Sequence, residues 1–288
     1  MDRKSPLCAL AVAVSVIVLF TFAVSAITGN EILGQMEDSF GTDRAGDGLL
    51  MSVQVENTYA GGFESSYHLA VLARTLVDPE KPEDRDETAL VLMYFRGGDD
   101  EGSIFLLHTP EDVTTDSSLW LFLPALGLTK KLVSDDDQQG SFAGSTVSYG
   151  DIAGAKKMRD DYDARILRED TYIVAEETRD VWILELTPKP GTHTDYEHAV
   201  LWVDREEFLM LRLEGYDESG ALESELDVTA LGRFEGQIVQ HEIVGLDHLT
   251  GDRSTIALFG LRRPEAELTI ETFSANRLAD FDLSVYGF

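Results

Sequence analysis

The amino-acid sequence predicts a mainly β protein, α+β in class, built around one large antiparallel sheet with a few helices. Three observations carry that expectation. From residue 49 onward, apolar and polar residues alternate with a period of two over about a dozen short segments. Gly, Asp, Asn and Pro punctuate those segments at turn spacing. Helical spacing occurs only in brief stretches, so the pattern lacks the helical crossovers of a parallel sheet.

Composition sets the outer limits. The 288 residues carry 53 Asp and Glu against 23 Lys and Arg, a net charge of −30. Such a charge repels nucleic-acid phosphates. One cysteine excludes an intramolecular disulfide framework and any multi-cysteine zinc or iron–sulfur site. A hydrophobic fraction of 43% is too high for a disordered acidic chain. The acids are spread along the chain, which describes a solvated acidic surface, as a saline setting would favour.

The elements follow in order. Residues 1–26 read as a signal peptide: Arg3 and Lys4 precede an apolar stretch from Leu7 to Ala26 that ends in small residues. An uncleaved anchor to the inner membrane is the competing reading, since about 20 apolar residues can span a bilayer. Residues 27–288 are then expected to form a single exported domain. A short amphipathic helix is expected over 30–40, where Ile32, Leu33, Met36 and Phe40 fall near helical spacing. Strands are expected at 49–59, 67–77, 88–95, 103–109, 118–123 and 128–134. A second set is expected at 171–177, 181–187, 198–204, 208–216, 221–231, 237–247 and 254–261. Between the sets, Ala155, Met158, Tyr162 and Ile166 predict a helix over 153–168. A last helix is expected over 271–281, with Phe273, Leu278 and Phe281 apolar.

Alternation also predicts faces. Trp182, Leu184 and Leu186 share one side of a strand. Leu209, Leu211 and Leu213 alternate with Met210, Arg212 and Glu214. One sheet face is therefore apolar and the other charged. Three short helices are little cover for such a sheet. Either part of the apolar face is kept for an apolar guest, or the sheet folds on itself as a sandwich.

Several segments together match a known pattern. Leu119-Trp120-Leu121-Phe122-Leu123-Pro124-Ala125-Leu126-Gly127 is followed by a basic strand with Lys130 and Lys131. Gly140-Ser141-Phe142-Ala143-Gly144-Ser145 and Ser148-Tyr149-Gly150-Asp151-Ile152 come next. Later come Leu201-Trp202-Val203-Asp204, Gly215-Tyr216-Asp217-Glu218-Ser219-Gly220 and Phe273-Ser274-Ala275-Asn276-Arg277-Leu278. In this order the segments resemble the outer-membrane lipoprotein-sorting protein family, the LolA/LolB-like superfamily, and its larger LolA-like members. The resemblance implies a half-open β-barrel whose concave side is closed by helices. It implies a periplasmic lipid- or lipoprotein-binding carrier that buries acyl chains in that concavity without covalent chemistry and without a cofactor. An inner-membrane transporter and an outer-membrane acceptor are the implied partners, and a monomer is expected. Burying one acyl methylene contributes about 0.8 kcal/mol, so a dry groove suffices. Trp120, Phe122, Trp182, Leu184, Leu211 and Leu213 are the expected cavity residues, with ordinary core packing as the alternative for each.

Other chemistry has weaker signals. His193, Asp195, Glu197 and His198, and likewise His241, Glu242, Asp247 and His248, fit no standard zinc spacing. Asp135-Asp136-Asp137 and Asp99-Asp100-Glu101 lack the pattern of a calcium loop. Ser141 and Ser145 lie in a Gly-rich loop without a Gly-x-Ser-x-Gly elbow. No metal ligand and no catalytic residue is assigned. A lipid hydrolase using the same groove and a non-catalytic accessory subunit of an inner-membrane exporter are the rival functions.

Overall fold

A computed structural model describes residues 27–39, 45–76, 88–98, 100–110, 117–132, 142–146, 158–192, 194 and 196–288. The expected signal peptide lies outside these residues. Among them, no helix is long and apolar enough to cross a membrane.

Among the described residues, thirteen strands form one open antiparallel sheet. They are β1 (Leu49–Thr58), β2 (Glu64–Leu76), β3 (Thr88–Phe95), β4 (Ile104–Pro110), β5 (Ser118–Leu123) and β6 (Leu128–Leu132), then β7 (Tyr162–Val174), β8 (Glu177–Pro188), β9 (His198–Asp204), β10 (Met210–Tyr216), β11 (Leu222–Phe234), β12 (Gln237–Asp247) and β13 (Arg253–Arg262). The spatial order is β6-β5-β4-β3-β2-β1-β13-β12-β11-β10-β9-β8-β7. Two meanders thus run outward from the β1–β13 pair. Strands β6 and β7 form the edges, and the sheet does not close.

Register partners share a face. One face carries the row Ser65, Asn57, Ser254, Gly245, Leu226, Leu213, Leu201, Leu184 and Ile166. Residues 142–146, part of the β6–β7 connection, cross this side, and we name it the strap face. The other face carries the row Leu50, Leu72, Leu92, Leu106 and Trp120. The C-terminal residues pack there, and we name it the tail face.

Each cover has a local cause. Helix α1 (Gly29–Ser39) starts at a reciprocal cap: Glu31 N donates to Thr28 Oγ1 at 3.2 Å, and Thr28 N donates to Glu31 Oε2 at 2.7 Å. It buries Ile32, Leu33 and Met36 against Trp182, Leu184, Leu186 and Leu201 on the strap face. Asn30 Oδ1 accepts from Ala164 N at 2.6 Å, so the helix also satisfies the start of edge strand β7. On the tail face, Leu268, Phe273 and Leu278 cover Leu50, Leu72, Leu92 and Leu106.

Three expectations are corrected. The helix over 153–168 is only the single turn α2 (Met158–Asp161) among the described residues, and β7 begins at Tyr162. Tyr162, Ala164 and Ile166 satisfy period two as well as the helical spacing, and pairing with β8 decides between them. The last helix is three 3-10 turns, Ile270–Phe273, Ala275–Asp280 and Leu283–Tyr286. The strand expected at 171–177 ends at Val174, and Ala175–Glu176 form the β7–β8 turn, both at positive φ, 49° and 71°. That is the geometry of a two-residue hairpin turn without the usual Gly or Asn signal.

Candidate functional site

The strap face has two capped regions. Phe142 stands against Phe95 and Phe105, with ring centroids 6.1 and 5.9 Å away, and closes the cluster over β1–β5. Helix α1 closes the cluster over β7–β10. Between them lies a strip of half-buried apolar side chains: Met51 and Val53 on β1, Ile256 and Leu258 on β13, Ile243 on β12 and Leu226 on β11. Register confirms the shared face: Val53 pairs with Leu258, Ile256 with Ile243, and Leu226 with Leu213. Four neighbouring strands make the strip about 14 Å wide.

A polar clip bounds one end of the strip. Tyr59 Oη donates to Gly144 O at 2.9 Å, and Thr146 N donates to Ser254 Oγ at 2.8 Å. Ser254 Oγ in turn donates to Asn57 Oδ1 at 2.9 Å, and Asn57 Nδ2 donates to Ser65 Oγ at 3.1 Å. Asn57 and Ser254 are buried. Two glycines allow the close approach: a Cβ on Gly144 would come within 2.5 Å of Tyr59 Oη, and one on Gly245 within 2.3 Å of Thr146 Oγ1.

The six expected cavity residues do not share one cluster. Trp182, Leu184 and Leu213 pack together beneath α1 on the strap face. Trp120 and Phe122 belong to the tail-face cluster, under the C-terminal turns. Leu211 packs with Val181, Ile183 and Val228 in a separate cluster. A bulge in β10 is the reason: the register with β9 shifts between Met210 and Arg212, so simple alternation through Leu209, Leu211 and Leu213 fails. Strip residues Met51, Val53, Ile243, Ile256 and Leu258 were not singled out from sequence. Alternation places them on a face, but only the distant covers show which part stays half-buried among the described residues.

The tail face of β8–β11 carries a polar network instead. Arg212 lies over the Trp202 ring at 5.6 Å and pairs with Glu214, Glu225 and Asp227 at 2.8, 2.9 and 3.4 Å. Burial works against its charge, but hydrogen bonds to Glu214 and Tyr172, with Glu225 nearby, outweigh it and raise its pKa. Tyr172 Oη donates to Asp227 Oδ1 at 2.7 Å, and burial with that bond pushes the phenol up to about 12. Three strands separate β7 from β11 in the sheet, about 19 Å when flat, so this bond requires the sheet to coil. Tyr216 is likewise pushed up to about 12 by burial and by Glu214. Every member is committed to a partner, which describes a structural network.

The remaining candidates take ordinary roles. His198 meets Glu185 at 3.4 Å, and His248 meets Glu225 at 3.6 Å. Glu242 accepts from Thr229, and Asp247 caps its own turn through Leu249 N and Thr250 N. Asp204 closes the β9–β10 turn through Glu206 N and Glu207 N and pairs with Arg179 at 2.7 Å. Among the described residues, no group of three or more His, Cys, Asp or Glu could hold a metal ion. Asp99, Asp135-Asp136-Asp137, Ser141, His193 and Asp195 lie outside the described residues.

Known proteins were compared with this fold. A DUF1329 family protein from Desulfovibrio piger superposes with a TM-score of 0.72 at 22% identity, covering 87% of this chain and 97% of that one. A domain from Vibrio parahaemolyticus, named for outer-membrane lipoprotein sorting, gives 0.69 at 23% identity, covering 87% and 98%. A LolA superfamily protein from Nitrosomonas europaea gives 0.59 at 20% identity, covering 86% and 98%. No curated protein matches the chain. A family model described as an uncharacterized protein family matches residues 86–280. The chain belongs to the family that this model describes, and its fold is that of the LolA-like proteins.

Proposed function

We propose that the protein is a periplasmic carrier of lipid or of the acyl chains of lipoproteins. It holds them against the strap-face strip by reversible burial, without covalent chemistry. The observation that carries this reading is the half-buried apolar strip between two otherwise closed clusters. Each acyl methylene moved there from water contributes about 0.8 kcal/mol. Trp182, Leu184 and Leu213 border the strip through Leu226, which packs against their cluster. The fold shared with a domain named for lipoprotein sorting supports the same reading. The net charge of −30 opposes adhesion to anionic membranes, so delivery depends on a specific donor and acceptor.

Native mass spectrometry of freshly purified protein tests the proposal. The expected result is a bound lipid, or uptake of added phospholipid. Ile256→Asp places a carboxylate in the strip and is expected to abolish that uptake while the fold is kept. A protein that carries no lipid and ignores added lipid sinks the carrier reading.

A further inference from the structure

Among the described residues, the strap carries one buried hydroxyl with no partner. Thr146 Oγ1 is buried and meets no hydrogen-bond acceptor or donor among the described residues, although Thr146 N is bonded to Ser254 Oγ. A buried polar group left unpaired is costly, so its persistence needs a reason. Gly245 makes room for it: any side chain there would collide with the hydroxyl. Gly245 pairs with Leu226 on one side and Ser254 on the other, and Ile243 and Ile256 pair with each other two residues away on the same face. The hydroxyl therefore stands where the apolar strip meets the polar clip. The side chains of the clip, Tyr59, Asn57, Ser65 and Ser254, are all uncharged.

An acyl chain lying along the strip has one polar atom to satisfy near its end, its carbonyl oxygen. That oxygen accepts and cannot donate, whereas a threonine hydroxyl can donate. The neutral surroundings suit a neutral ester or amide carbonyl better than an ionised carboxylate, which would need a cation. We infer that Thr146 Oγ1 is the polar anchor of the cargo site, donating a hydrogen bond to the acyl carbonyl of an ester- or amide-linked lipid. This inference rests on the carrier reading above.

The test compares diacyl phosphatidylcholine with its dialkyl ether counterpart of equal chain length. The ether keeps the hydrocarbon and the headgroup but lacks the carbonyls. Wild-type protein is expected to bind the diacyl lipid roughly 3- to 10-fold more tightly. Thr146→Val keeps the side-chain shape and is expected to bind both lipids with the ether affinity. Thr146→Ser is expected to keep the preference. In urea, Thr146→Val is expected to be as stable as wild type or more so, since it removes an unpaired group. Equal binding of the two lipids by wild type, a preference that survives in Thr146→Val, or a lower urea midpoint for that variant each overturns the anchor. If wild type binds neither lipid, the carrier reading falls with it; if it binds both equally, only the anchor falls. Competition between phosphatidylcholine and a diacylglyceryl lipopeptide, both ester-bearing, then identifies a membrane lipid or a lipoprotein as the better source of the carbonyl.

Discussion

The two wings of the sheet solve the same burial problem differently. In β2–β5 both faces are covered, by Phe142 on the strap side and by the C-terminal turns on the tail side. Strands β2–β4 can therefore be apolar on both faces, as in Leu69–Ala73, Ala89–Phe95 and Ile104–Leu107. In β8–β10 the strap face is covered by α1, while the tail face there and on neighbouring β11 carries Arg212, Glu214, Glu225 and Asp227. The difference teaches that coverage, rather than strand propensity, decides where this protein places its acids. It also accounts for the half-buried strip that lies between the two capped clusters.

The comparison can be broken first at the tail. Phe273 is fully buried. Phe273→Ala is expected to cost about 3–5 kcal/mol, read as a lower urea midpoint. A single shared transition would show that the wings unfold together. A separate early transition would show that the first wing depends on its tail alone. Leu33→Ala on α1 is the matching change in the second wing, with an expected cost of about 2–5 kcal/mol. If both variants lower the same transition, the wings are one cooperative unit. Gly245→Ala acts between the wings by forcing Thr146 away from the sheet. It is expected to destabilise by about 1–3 kcal/mol and to raise protease cleavage at the strap.

The smallest expected effect is acid sensitivity of the first wing. His108 Nε2 lies 2.8 Å from Phe273 O and packs on Trp120 at 4.8 Å, and burial holds its pKa below the ordinary histidine range. The neutral ring is thus favoured by folding. Its contribution is fully present above the unfolded pKa, near 6.5, and is lost as pH falls through the lower folded value. A urea series from pH 7.5 downward should show His108→Gln losing less stability than wild type over that window. Equal losses would remove His108 from the tail's acid response.

Much of the fold was legible in the strand pattern. All thirteen strands lie at or near segments of period-two alternation, and helix α1 lies within one residue of its expected bounds. The start of β7 was not legible, because Tyr162, Ala164 and Ile166 fit both periods and only β8 resolves them. Nor was the bulge at Leu211, which has no glycine to announce it. At the candidate site, Trp182, Leu184 and Leu213 were legible as neighbours on one face. Trp120 and Phe122 pointed to the other face because the β5 alternation does not say which side the tail will cover.

The sequence by itself determined the antiparallel sheet, the helix at Gly29–Ser39 and the net negative charge, because alternation, helical spacing and charge are local properties. Tertiary structure alone decided the order of the two meanders, the covers over each wing and the half-buried strip. Those depend on contacts between residues far apart in the chain, such as Phe142 with Phe105 and Thr146 with Gly245. No local pattern encodes which part of an apolar face will be only half-buried.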